Sequence, residues 1–117
     1  MLYISSSYRF YLSVQSTDMR KGVDSLSGMI REVGKDPLCG DIYIFLNRRR
    51  TQIKLLLWEG DGFSLYYKRL EKGTYEIPSV RENTISLEIK SDELLLILHG
   101  IVLKSVQRRN RYKRVSA

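Results

Sequence analysis

Cysteine and histidine are almost missing from this chain: Cys39 and His99 stand alone. One cysteine cannot build a disulfide framework or a cysteine-based metal site within a single chain. One histidine at the end of an apolar run, without a Cys or Ser companion at a known spacing, forms neither a paired-ligand motif nor a nucleophile–base pair. No P-loop and no dinucleotide fingerprint occurs. Long apolar runs are absent as well, the longest being Leu94–Leu98, far below the ~20 residues that a membrane span requires. The opening stretch, MLYISSSYRFYLSV, has no unbroken apolar segment of signal-peptide type. These absences lead to the expectation of a cytoplasmic protein with no cofactor, no bound metal and no catalytic residue.

Charge of one sign is scarce only in places. The net charge is +7, yet the last fourteen residues carry Lys104, Arg108, Arg109, Arg111, Lys113 and Arg114 and no acid. Without them the first 103 residues are close to neutral, fourteen bases against thirteen acids. The expectation is a single domain over residues 1–103 and a basic, disordered tail over residues 104–117. A second basic knot stands at Arg48-Arg49-Arg50. Clustered cations on a neutral body favour a polyanionic partner; the alternative for the tail is a solvated extension that aids solubility.

What is there in quantity is branched and aromatic residue runs. Asp41–Gly73 holds three of them, Ile42–Leu46, Ile53–Trp58 and Phe63–Leu70, separated by Asn47–Thr51 and by Glu59-Gly60-Asp61-Gly62. Such runs between Asn/Asp/Gly clusters predict an antiparallel meander. The middle run is apolar on both parities, which predicts a central strand covered on both faces, with the outer runs flanking it.

Around the meander, Arg9–Val14 reads as a first strand. Gln15–Asp18 reads as a turn offering N-cap residues. Met19, Val23, Leu26, Ile30 and Val33 recur at helical steps, Gly34 suits the C′ position and Pro37 blocks resumption. That predicts one long helix whose apolar stripe lies on the meander. Glu76–Asn83 is irregular around Pro78. Thr84–Lys90 alternates as a half-buried strand, with Ile85, Leu87 and Ile89 inward. Ser91-Asp92 then caps a short helix over Glu93–His99, with Leu94, Leu95 and Leu98 inward and Gly100 at its end. Ile101–Leu103 is expected to pack back onto the body. The fold class is α+β: a meander against one long helix, with a short C-terminal helix and a basic tail.

The candidate partner-binding residues are cations. Arg20 and Lys21 fall in the first turn of the predicted helix, where the macrodipole disfavours them. They either form a phosphate site beside free N–H groups or act as a structural clamp with Asp18 or Asp24. Arg48, Arg49 and Arg50 belong to a hairpin tip, and Lys54, Lys68 and Arg69 to the strands. Arg108, Arg109, Arg111, Lys113 and Arg114 would add sequence-independent phosphate contacts. The carboxylates Asp18, Asp24, Asp41, Glu59, Asp61 and Glu71 are scattered over turns and flanks. Nothing in their spacing makes them a metal site.

Several ordered blocks resemble a known family. They are Thr17-Asp18-Met19-Arg20-Lys21-Gly22 followed by Asp24 and Leu26; Phe45-Leu46-Asn47-Arg48-Arg49-Arg50; Ile53-Lys54-Leu55-Leu56-Leu57-Trp58; Gly62-Phe63; and Lys68-Arg69-Leu70-Glu71-x-Gly73. Together they resemble the TnpB, or Orf2-like, accessory proteins of insertion sequence family sixty-six, from about Tyr8 to Leu103. These differ from the RNA-guided nuclease that shares the TnpB name. Thr51-Gln52 stands where the family usually has Asp-Arg, and Ile77 where it usually has an aromatic, so no role is carried onto Thr51 or Gln52. The resemblance implies an accessory protein for the movement of a bacterial mobile element, acting beside a separate transposase that performs the chemistry. The expected partners are DNA at the element ends and the transposase subunit, with no membrane and no small-molecule substrate. The alternative is an adaptor that sets Trp58, Phe63, Tyr66 and Tyr67 against the transposase without binding DNA; a metal-dependent nuclease stands third.

Overall fold

A computed structural model describes residues 8–78 and 84–99. Five strands form one mixed sheet: β1 (Phe10–Ser13), β2 (Ile42–Leu46), β3 (Gln52–Trp58), β4 (Phe63–Arg69) and β5 (Ser86–Ile89), in the order β4-β3-β2-β1-β5. Helix α1 (Val23–Glu32) connects β1 to β2, and α2 (Ser91–Leu98) follows β5. β1 and β2 run parallel and every other pair is antiparallel. The predicted α+β class and the meander β2-β3-β4 are found.

The centre of the sheet is β2, not β3 as the sequence reading had it. All five residues of β2 are buried, because β1 pairs on one side and β3 on the other. Ile42, Ile44 and Leu46 enter the larger core with Phe10, Leu12, Leu55, Tyr75, Leu94 and Ile97. Tyr43 and Phe45 point to the opposite face, where Leu26 and Ile30 of α1 cover them together with Leu56. A strand flanked and covered on every side has no polar parity to show. β3 is also covered on both faces, as expected, but stands one place from the centre.

Helix α1 has 10 residues, fewer than its apolar stripe suggested. Its start is displaced by Asp18. The Asp18 carboxylate accepts the Arg20 backbone N–H at 2.9 Å, and the Asp18 carbonyl accepts from Lys21 N–H at 3.1 Å. These local bonds give residues 18–21 a turn in place of a first helical turn. The N-cap is Gly22, with no side-chain cap, rather than a residue of Gln15–Asp18. Met19 and Val23 still pack against the α1-side core from half-buried positions. The other end follows expectation. Gly34 has φ +81°, its N–H donates to Arg31 O at 2.9 Å and Lys35 N–H donates to Ile30 O at 3.1 Å. That is a Schellman closure, in which a glycine takes the left-handed position.

Helix α2 begins two residues earlier than expected, with Lys90 as N-cap and its N–H donated to Glu93 Oε1 at 3.0 Å. Leu94 and Ile97 are buried, Leu98 packs against them, and Leu95 is 44% exposed. Adjacent leucines point about 100° apart on a helix, so Leu95 could not share the inward stripe assigned to it. Ile85, expected inward, is 53% exposed because it precedes β5, whose last rung with β1 is Ser13–Ser86. Gly100, Ile101–Leu103 and the 104–117 tail lie outside the described residues.

Candidate nucleic-acid interface

Two loops meet at the carboxyl ends of the parallel strands β1 and β2. The first follows β1 and leads into α1. The second is the β2–β3 turn, Asn47–Thr51. Thr17 N–H donates to Leu46 O at 2.8 Å and holds the first loop against the second. Between them lies an open cleft of about 720 Å³, lined by Thr17, Arg20, Arg48, Arg49, Thr51 and Gln52 among others. Thr17 is 4% exposed and its hydroxyl has no hydrogen-bond partner among the described residues.

Asn47 organises the turn. Its Oδ1 accepts the N–H of Thr51 at 2.8 Å and of Gln52 at 2.9 Å, and its Nδ2 donates to Thr51 Oγ1 at 3.0 Å. Replacing Asn47 by Ala leaves two backbone donors without their acceptor and is expected to cost about 1–3 kcal/mol in urea unfolding. Asn47→Asp retains the acceptor oxygen and should lose clearly less. Equal losses in the two variants would mean that the side-chain oxygen does not hold the turn.

The arginine triplet is divided by its own backbone. Arg48 and Arg49 are exposed and line the cleft. Arg50 adopts φ +57°, the left-handed region that ordinary residues rarely enter. Its carbonyl accepts Tyr75 N–H at 2.7 Å, tying the tip to the buried Tyr75. Arg50 lines an adjoining depression with Val14 and Ile77, and Arg48 stands on the wall of both. Of the three arginines, Arg48 and Arg49 line the cleft and Arg50 does not.

Arg20 reaches the cleft from the opposite side as half of an ion pair. Its guanidinium donates to both oxygens of Asp18, the shortest contact being 2.7 Å, and both side chains are largely solvent-exposed. This is the clamp arrangement among the two readings of Arg20, and it precedes the helix instead of occupying its first turn. The hydrogen bonds from Arg20 hold the Asp18 carboxyl down at about 2. A depressed carboxyl pKa means that the pair persists at ordinary pH and is lost only as pH falls through that value. Asp18→Asn keeps the acceptor for the turn and removes the anion. It is expected to tighten binding to duplex DNA at low salt by removing an anion beside the Arg20 contact, with the log–log salt slope close to that of wild type because the number of phosphate contacts is unchanged. Unchanged or weaker affinity would show that Arg20 makes no phosphate contact.

The strand cations separate by parity. Lys54 lies opposite Tyr67, and Gln52 opposite Arg69, on the α1 side of the sheet. Lys54 Nζ donates to Lys21 O at 2.8 Å, joining the strand to the loop before α1. Arg69 pairs with Glu71 at 3.2 Å, both well exposed. Lys68 lies opposite Ile53, whose side chain belongs to the other core, so it faces away. Arg20, Lys21, Arg48, Arg49, Lys54 and Arg69 thus occupy one side and end of the sheet, while Arg50 and Lys68 do not join them. Arg108, Arg109, Arg111, Lys113 and Arg114 lie outside the described residues. Thr17, Asn47 and Gln52 belong to the same region and were not among the expected residues, and Tyr67, expected only as part of an aromatic face toward the transposase, joins them. Asn47 alone had a readable signal, an Asn immediately after an apolar strand.

The loop before α1, the arginine tip and the β3–β4 cations are also the segments that carried the resemblance noted in the sequence. Residues 8–108 match the family described as IS66 Orf2 like protein. The chain belongs to the IS66 Orf2-like family. Two proteins of Sinorhizobium fredii are similar to it. One, named uncharacterized protein y4jC, is 30% identical over 109 residues, covering 90% of this chain and 89% of its own. The other, named uncharacterized protein y4hO, is 33% identical over 102 residues, covering 86% and 87%. No solved structure matches the chain.

Membership in the IS66 Orf2-like family implies a transposition-associated accessory role, in a family not known as catalytic. Among the described residues, no group of three or more His, Cys, Asp or Glu is placed to hold a metal ion. Asp18 is engaged by Arg20, Asp41 accepts from the Cys39 thiol at 3.1 Å, Glu59 accepts from Ser64, and Glu71 meets Arg69. No helix among the described residues is long and apolar enough to cross a membrane.

Proposed function

We propose that this Orf2-like protein binds DNA as a non-catalytic accessory factor and so helps assemble the complex in which the separate transposase cuts and joins the element ends. The observation that carries the reading is the approach of Arg20 to Arg48 and Arg49 across one open cleft, from positions 28 and 29 residues apart in sequence. Exposed guanidinium groups on a hairpin tip, with Lys21, Lys54 and Arg69 on the same side, suit the phosphates of a duplex, which position a protein without specifying sequence. The cations of the 104–117 tail add phosphate contacts of the same kind.

The adaptor reading has one observation in its favour. Strand β4 is at an edge of the sheet among the described strands, and its Tyr67 is 48% exposed, so a partner polypeptide has both backbone and ring to meet there. Titration of a labelled 30-bp duplex at several salt concentrations separates the two. DNA binding through the cleft predicts micromolar or tighter affinity at low salt and a log–log slope of about −2.7 or steeper, three contacts at about −0.9 each. An adaptor predicts no affinity for free duplex and retention of the transposase in a pull-down.

A further inference from the structure

Beside the cleft, the described residues leave the α1 side of the sheet partly uncovered. Leu26 and Ile30 pack over Phe45 and Leu56, with Phe63 and Leu65 joining them. The next rungs of β3 and β4, Lys54–Tyr67 and Gln52–Arg69, lie beyond that cover. Tyr67 is the one aromatic residue of the exposed class among the described residues, at 48%. It is also fixed in place. Its hydroxyl donates to Gln52 Oε1 at 2.6 Å, and Lys54 Nζ stands over one face of the ring, 5.7 Å from its centroid, so a base would stack on the opposite face. Lys54 is anchored in turn to the Lys21 carbonyl. Gln52 lines the cleft that holds Arg48 and Arg49, so the ring and the arginines adjoin one another.

A pre-positioned ring flanked by cations and next to a phosphate-sized arginine cleft has the makings of a single-strand site: bases stack on aromatic faces while cations follow the backbone. A blunt duplex offers a free base face only at its two ends, against one at every unpaired nucleotide of a single strand. We propose that Tyr67 is a stacking platform for an unpaired base of DNA, with Arg48, Arg49 and Lys54 on the neighbouring phosphates. This deepens the DNA-binding reading and rests on it. It gives the protein a preference for DNA that carries unpaired nucleotides, such as a frayed or single-stranded end, over intact duplex.

The test compares a labelled 20-nucleotide single strand of mixed sequence with a blunt 20-bp duplex, by fluorescence anisotropy at one salt concentration. The full chain is used as wild type, Tyr67→Leu and Tyr67→Phe. The expected result is about a 10-fold loss on the single strand for Tyr67→Leu, less than about 2-fold on the duplex, and near-wild-type binding for Tyr67→Phe, which keeps the ring. Tyr67→Thr, a good strand former, replaces the Leu variant should that one melt early. Equal effects of Tyr67→Leu on both probes, or none on either, overturn the platform and leave duplex binding standing. Failure of the wild type to bind either probe overturns the DNA reading itself, and the platform with it.

Discussion

A chain carrying Arg20→Ser, Arg48→Ser and Arg49→Ser is expected to bind duplex DNA about 10²–10³-fold more weakly than wild type at 0.1 M salt. Each lost phosphate contact removes about 0.9 from the slope of log affinity against log salt, so three remove about 2.7, and at 0.1 M that is close to 500-fold. The fold should be untouched. All three side chains are exposed, and surface changes of this kind usually stay within about 0.5 kcal/mol. The companion variant, Arg50→Ser with Lys68→Ser, removes two cations that do not share the cleft side. It should leave the slope within about 1 of wild type despite deleting nearly as much charge. If the two variants weaken binding equally, the protein responds to its net charge alone and the cleft has no special place.

The second large effect is on stability. Ile44→Ala, at the middle of β2, is expected to cost about 2–5 kcal/mol in denaturant unfolding, because the cavity it leaves is walled on every side. Ile44 is 0% exposed, sits opposite Leu12 in β1 and Leu55 in β3, and belongs to the larger core. Leu65→Ala in the edge strand β4 removes the same three carbons from a side chain that is only half-buried, and should cost less than half as much. A larger loss for Leu65→Ala would contradict the placement of β2 at the centre and β4 at the edge.

The contrast between β2 and β3 shows what was readable in the sequence. Both runs were recognised as strands from branched and aromatic residues, and both are strands. Their rank in the sheet was not readable, because the neighbour that makes β2 central is β1, some thirty residues away and parallel to it. Local patterns carry no information on such a pairing. The α1 stripe was legible through Leu26 and Ile30, but its start was not: Asp18 diverts the backbone by a side-chain bond that periodicity cannot register. At the site, Arg48 and Arg49 were legible as exposed cations on a turn. The separation of Arg50 depends on one positive φ, and the meeting of Tyr67 with Gln52 on cross-strand register. Both are properties of backbone geometry, not of composition. Lys68 and Arg69 were placed together on a strand as phosphate contacts, although adjacent strand residues face opposite ways.

The most direct measurement of the central claim is a cross-link from the hairpin tip. A photoreactive phenylalanine analogue at position 49, which is exposed and lines the cleft, is placed in the full chain and mixed with element-end duplex and the transposase. Irradiation should join this protein to DNA, and the same DNA adduct should form when the transposase is left out. Adducts to the transposase polypeptide alone, with none to DNA in either mixture, would contradict the account and make the protein an adaptor.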